Sequence, residues 1–378
     1  MYLEINKDVF LKQLLKIYKI LPQKSLFPVF NILKITAKKN TLILEVNNGN
    51  IAIQISIEDQ SLKIEKEGEI ACFGRHFIEI IKKINTLSIK MTVTENNFLV
   101  IKTNFCEYKL KLMTLLGFLL PEFFFEKKEF FELKVSSFKK MIKEVNISSS
   151  KNEKRPILTG SNLIYEKKTL KALATDSFRI SYKKIKLDFP YFDFNMVIPN
   201  KSLEELIKIL EYYDNKNLKI YSDDKKIFLK IDNLWFCTSL LEGNYPQIQE
   251  FNLKNYPFVV HLNKDDVMKV LERISLFFSK EEVNKNIVLF KLTEEKIIEI
   301  SISNENLGTA LEKIIPLKVT SEKFEIAFNA KHLEDILKVL TSSEIVFYFE
   351  SHLKPFIVTT LEEESSVHLI FPIQKEND

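Results

Sequence analysis

The sequence predicts an α+β protein made of three similar domains, each holding two strand–helix–strand half-repeats. Two observations carry that prediction. LEINKDVFLKQLLKI from Leu3, FELKVSSFKKMIKEV from Phe131 and VVHLNKDDVMKVLERI from Val259 repeat one pattern, and aligning Ile5, Leu133 and Leu262 gives a period of about 128 residues, a common domain size. A second series falls midway: ACFGRHFIEIIKKI from Ala71, VIPNKSLEELIKIL from Val197 and AFNAKHLEDILKVL from Ala327. The domain edges predicted are 1–127, 128–253 and 254–378.

Each copy reads as a short apolar strand, a polar cap and a helix. In the first series the caps are Asn6, Ser136 and Asn263. Between the helices lie strands. TLILEV, the turn NNGN and IAIQISI set Ile51, Ile53, Ile55 and Ile57 on one face, a hairpin pattern. KKIFLKIDNLWFCTSL (225–240) reads as a second hairpin, so abundant antiparallel sheet is expected.

Each residue of a helix turns about 100°. On that spacing Phe10, Leu14 and Ile17 share a face, as do Phe138, Ile142 and Val145, and Val267, Leu271 and Ile274. Basic residues take the opposite face: Lys12 and Lys16, Lys140 and Lys143, Lys269 and Arg273. The second series repeats the basic position at Lys82, Lys208 and Lys338. Six such helices would present positive charge to a polyanion without reading its sequence. The alternative is an ordinary solvated face, which a lysine-rich composition fills with lysine in any case.

A hydrophobic fraction of 46% beside 28% charged residues fits a globular chain with a real core. The net charge of +4 leaves no large basic tail, so nucleic-acid contacts must come from local patterning. Cys72, Cys106 and Cys237 are far apart, with no CxxC and no metal spacing, which points to a reducing cytoplasm and no zinc site. The start MYLEINKDVFLK is too charged for a signal peptide, and LMTLLGFLLPEFFF (112–125) is too short to span a bilayer. The expectation is a cytoplasmic protein with no membrane contact.

No phosphate-binding loop, HExxH or GxSxG elbow is present. Asp223-Asp224 and Asp265-Asp266 sit where a turn and a helix start want carboxylates, and the five histidines are scattered. No catalytic residue, cofactor or metal is expected. ATDSFRIS (174–181) stays open at this level. Its Asp176, Ser177 and Arg179 fit a catalytic cluster, a tight turn with a buried ion pair, or the floor of a docking site.

RPILTGSNLIYEKKTLKALATDSFRIS (155–181) resembles the RPxLxG…ATDGHRLA signature of bacterial sliding clamps, the beta subunit of DNA polymerase III. FPVFNIL (27–33), LLEGNYPQIQEF (240–251), LERISLFFSKE (271–281), FNAKHLEDIL (328–337) and HLIFPI (368–373) are similar to further blocks of that family, in order along the chain. The resemblance implies a non-catalytic processivity factor. It would be a head-to-tail homodimer ring around duplex DNA, with basic helices inside and sheets outside.

Partners implied are DNA of any sequence, the polymerase III alpha subunit, the clamp loader, and repair polymerases and ligase-type proteins. Their peptides would dock at Leu158, Thr175, Ser177, Phe178, Arg179, Ile180, Pro246, Phe251, Leu369, Ile370, Phe371, Pro372 and Ile373. Positions matching family DNA contacts are Lys24, Arg75, Arg155 and Lys201, beside Lys12, Lys82, Lys140, Lys208, Lys269 and Lys338. Tyr108 and Leu110 would meet Leu276 and Phe277 of a second subunit. The chain departs from the signature at Ser177-Phe178, where Gly-His is usual, at Glu250 and at Phe371-Pro372-Ile373. The runner-up is a clamp-like peptide-binding scaffold that does not encircle DNA.

Overall fold

The computed structural model describes residues 1–123, 130–187, 191–248, 253, 256–278, 286–320, 323–361 and 365–373. Six α-helices lie at the repeat positions: α1 (Lys7–Tyr18), α2 (Gly74–Lys83), α3 (Val135–Asn146), α4 (Asn200–Leu210), α5 (Lys264–Ile274) and α6 (Ala330–Val339). Each follows directly on a strand. The Asn6 carboxamide accepts from the backbone N–H groups of Asp8 and Val9, and that of Asn263 from Asp265 and Asp266, so both cap as expected. Ser136 does not. The strand Phe131–Lys134 stays paired through Lys134 opposite Asn217, α3 starts at Val135, and Ser136 falls inside its first turn.

The chain divides into two compact units. The first comprises Met1–Phe138 with Lys201–Leu240, the second Lys139–Asn200 with Leu241–Asp378. The division therefore cuts the middle sequence repeat along α3 and α4, because that repeat gives strands to both units.

In the first unit, eight antiparallel strands run in the order Phe131–Lys134, Asn217–Ser222, Lys226–Ile231, Leu234–Ser239, Ile51–Ile57, Thr41–Asn47, Ile32–Lys38, Gly68–Phe73. Strands from two sequence repeats meet where Leu234 pairs with Ile55 and Thr238 with Ile51. A five-stranded sheet (Lys63–Lys66, Tyr2–Asn6, Ser88–Val93, Phe98–Lys102, Glu107–Lys111) completes the unit. Phe10 of α1 and Phe77 of α2 meet edge to face at 6.0 Å between them. Ile51, Ile53, Ile55 and Ile57 are all buried, as the hairpin alternation requires.

The apolar stretch after Leu112 has a structural use in this unit. Leu120 and Phe123 lie on the sheet face around Tyr221, Phe228 and Trp235, and Asn47 donates to the Leu119 carbonyl at 2.7 Å. Residues 124 and 125 lie outside the described set.

The second unit holds a nine-stranded sheet: Phe194–Pro199, Gly160–Glu166, Thr169–Thr175, Arg179–Lys186, Ser366–Ile370, Phe356–Thr359, Glu344–Phe349, Phe258–Asn263, Lys318–Val319. Its seam is the pairing of Arg179–Lys186 with Ser366–Ile370. Gly308–Ile314, Ile298–Asn304, Ile287–Leu292 and Phe324–Asn329 form a four-stranded sheet. Stacked and tilted rings of Phe290, Phe347, Phe349 and Phe356 fill the core under α5 and α6.

Candidate functional site

ATDSFRIS forms the turn between Thr169–Thr175 and Arg179–Lys186, with Thr175 paired to Ile180. One Asp176 carboxylate oxygen accepts from the N–H groups of Phe178 and Arg179, at 2.9 and 3.0 Å. The other accepts from Arg179 Nε at 3.0 Å. Of the three readings open in the sequence, the turn with a buried ion pair is therefore present. The guanidinium has a second partner that the sequence does not suggest: Asp335 of α6, at 2.9 Å from Nη1. This pair ties the turn to a helix 156 residues away in the chain. His332, one turn earlier on α6, has its pKa pushed down to about 4, first by burial and then by the Arg179 charge.

Ser177 has φ +79°, in the left-handed region where glycine is at ease and a serine is strained. Tyr245, also missed by the sequence reading, steadies the base of the turn. Its hydroxyl accepts from Thr175 N–H at 3.1 Å and donates to the Gly160 carbonyl at 3.3 Å. Gly160 itself is required by space, since a Cβ there would lie 2.7 Å from both the Ile198 carbonyl oxygen and Leu241.

The residues assigned to peptide docking divide by role. Ile180 and Leu369 are direct cross-strand partners and share an apolar face with Leu173, Val367 and the ring of Tyr245. Phe178 is 60% and Phe371 36% exposed, and the Phe371 N–H donates to the Phe178 carbonyl at 3.0 Å. Together with exposed Pro246 and half-buried Pro372 and Ile373, they leave apolar surface beside a polar turn. Leu158 and Thr175 are buried. Ile370 points the other way, into the core with Phe347 and Phe356, because neighbours along a strand face opposite sides. Phe251 and Glu250 lie outside the described residues.

Behind the seam is a buried polar network. Lys183 Nζ donates to Glu144 Oε2 at 2.6 Å, and Ser366 Oγ donates to the same oxygen at 2.6 Å. Ser181 Oγ lies 2.7 Å from His368 Nδ1 and 2.6 Å from Ser148 Oγ. Burial, helped by Lys183 and Arg179, pushes the His368 pKa down to about 3.

The helices show the expected division of faces. Phe10, Leu14, Ile17, Phe138, Ile142, Val145, Val267, Leu271 and Ile274 are all buried. Lys12, Lys82, Lys269, Lys338, Lys24 and Lys201 are exposed, while Lys140 and Lys208 are half-buried. Carboxylates offset part of this charge: Glu205 lies 2.6 Å from Lys208, Glu79 3.9 Å from Lys82, and Glu334 pairs with Lys338. Arg273 donates from Nε and Nη2 to the two carboxylate oxygens of Glu312, at 2.7 and 2.8 Å.

Lys16 is placed otherwise than the stripe suggests, and two of the family-matched positions, Arg75 and Arg155, make contacts within the chain. Lys16 is buried at 4% exposure, with its amine 2.6 Å from the Tyr213 hydroxyl. It follows Lys12 by one turn but reaches the Tyr213 hydroxyl rather than solvent. Arg75 donates from Nε to the Leu21 carbonyl at 2.6 Å and lies over the Tyr18 ring, yet it shares a groove of about 670 Å³ with Lys24, Leu26 and Phe73. Arg155 is exposed and reaches Ser177 Oγ of the ATDSFRIS turn at 3.4 Å.

Glu107–Lys111, carrying Tyr108 and Leu110, is the outer strand of the five-stranded sheet. Gly308–Ile314 is an outer strand of the four-stranded sheet, with Leu311 58% exposed; Leu276 is 77% exposed on the turn after α5, and Phe277 is partly buried beside it. The acidic pairs take structural positions: Asp223 caps the Lys225–Lys226 turn, and Asp265 and Asp266 open α5. Among the described residues no three His, Cys, Asp or Glu side chains are grouped to hold a metal, and no helix is long and apolar enough to cross a membrane.

The N-terminal, central and C-terminal domain descriptions of the DNA polymerase III beta subunit match residues 1–116, 132–247 and 254–374. The chain is 30% identical over 376 residues to a beta sliding clamp of Staphylococcus epidermidis, covering 98% of each chain. The chain belongs to the beta sliding clamp family. Sliding clamps are processivity factors of DNA replication, and the fold agrees over nearly the whole length. A Bacillus subtilis sliding clamp superposes with a TM-score of 0.91 at 28% identity, covering 99% of both chains. The Streptococcus pyogenes beta subunit gives 0.92 at 26% identity, covering 99% of this chain and all of the other.

Proposed function

We propose that this chain is a non-catalytic cytoplasmic sliding clamp of three domains, 1–127, 128–253 and 254–378. It closes head to tail with a second copy into a ring around duplex DNA, and it tethers the replicative polymerase, the clamp loader and repair partners by their peptides. The observation that carries the reading is one helix design at six places, apolar toward the sheets and basic away from them, in a chain that matches the family end to end. Lysines that hold phosphates loosely and read no base suit a protein that must slide.

Two outer strands with exposed apolar residues, Glu107–Lys111 and Gly308–Ile314, suit pairing between copies. Leu276→Glu with Phe277→Glu should give folded monomers where the unaltered chain scatters light as a dimer at micromolar concentration. A monomeric unaltered chain would contradict the ring. The carboxylates beside Lys82, Lys208 and Lys338 favour one second reading, a peptide-binding scaffold that does not hold DNA.

A further inference from the structure

Lys16 departs most from the pattern its sequence position sets. Among the described residues no carboxylate lies within ion-pair distance of its amine. Its nearest partner is the neutral Tyr213 hydroxyl at 2.6 Å, which itself donates to Asn233 at 3.1 Å. The ammonium also sits 4.3 Å above the Tyr213 ring. Lys16 lines a cleft of about 650 Å³ in the first unit, with Lys12, Lys216 and Lys230 on the same walls. Glu58, Asp59 and Asp232 also line it: Asp232 is paired with Lys216 at 3.4 Å, Asp59 accepts from Ser61 at 2.6 Å and Glu58 from Thr41 at 3.2 Å.

We propose that Lys16 is a nucleophilic lysine that small acyl phosphates acylate, Lys12 and Lys230 of the cleft holding the phosphate. The inference does not depend on DNA binding or on ring closure. In the step, the neutral amine's lone pair attacks the acyl carbonyl carbon and a C–N bond forms. The C–O bond to phosphate then breaks, inorganic phosphate leaves with the electron pair, and the amine proton passes to solvent. Burial, with Lys12 adding like-charge repulsion and the Asp232 carboxylate opposing both, pushes the Lys16 pKa down to about 8. At pH 7.5 roughly one quarter of it is then neutral, against roughly one in a thousand for an ordinary lysine. Lower basicity costs part of that gain in nucleophilicity, leaving an advantage of about tenfold.

Acetyl phosphate is the probe, applied to the full chain between pH 6.5 and 9.5 with peptide mapping by mass spectrometry. Lys16 should acetylate about tenfold faster than the median lysine at pH 7.5, with its rate rising through a midpoint near 8. Lys12→Ala should slow this reaction more than it slows labelling by N-acetoxysuccinimide, an uncharged donor. Labelling of Lys16 no faster than the median with either reagent would overturn the nucleophile. An equal effect of Lys12→Ala on both reagents would overturn the phosphate-holding role.

Discussion

Ser177 stands at a left-handed position of a kind where an L side chain costs about 1–2 kcal/mol. Ser177→Gly removes that strain but frees the unfolded chain, so a net gain of about 0.5–1 kcal/mol is expected in the urea midpoint. A lower midpoint would show that the Arg155–Ser177 contact outweighs the strain. His368 makes a pH prediction. Its folded pKa, near 3, lies below the unfolded value of about 6.5. As pH falls through that window the unfolded chain takes up a proton that the folded chain refuses, so stability present above pH 6.5 is lost toward pH 3. His332, pushed down to about 4, acts in the same direction. His368→Gln should flatten the dependence of the urea midpoint on pH between 6.5 and 4; an unchanged slope would contradict the assignment. The sequence shows none of this. Nothing near His368 marks it as buried, because its partner Ser181 comes from a strand 187 positions away, joined to it only by the sheet seam.

Elements were more legible than their partners. The anchors Phe10, Phe138 and Val267 could be read as buried because helical periodicity is local, and the hairpin at NNGN because glycine and strand alternation are local too. Lys16 was misread for a related reason: helical spacing puts it near Lys12, but only the distant Tyr213 shows that it faces inward. Asp335 was missed because nothing in LEDIL reports the guanidinium it binds. The docking strand was half legible. Leu369 and Ile370 look equally apolar in HLIFPI, and only the pleat sends Leu369 to the Ile180 face and Ile370 to the core. If that face takes partner peptides, one of the Gln-Leu-x-Leu-Phe type should bind with micromolar affinity, about −8 kcal/mol. Phe371→Ala should cost roughly 1–3 kcal/mol in calorimetry. An unchanged affinity in the folded variant would leave ATDSFRIS a structural turn.

At the scale of the whole molecule, sequence period and spatial compactness divide the chain differently. The period of about 128 residues records a repeated unit. The compact units follow sheet seams, Leu234–Ser239 on Ile51–Ile57 and Arg179–Lys186 on Ser366–Ile370, so the middle repeat serves both. Sheet continuity between repeats cannot be read from periodicity, since backbone pairing across a seam leaves no residue pattern of its own. On the proposed function, two such chains hold DNA by enclosing it rather than by affinity. Enclosure needs only weak phosphate contacts, so the carboxylates that offset part of the helix charge do not count against it. The most direct measurement loads the labelled chain onto nicked circular duplex with a clamp loader and ATP, then filters the complex in moderate salt before and after cutting the circle once. Enclosure predicts that the chain stays with the circle and is lost from the linear duplex with free ends. Equal retention on both forms, or none on the circle, would contradict it.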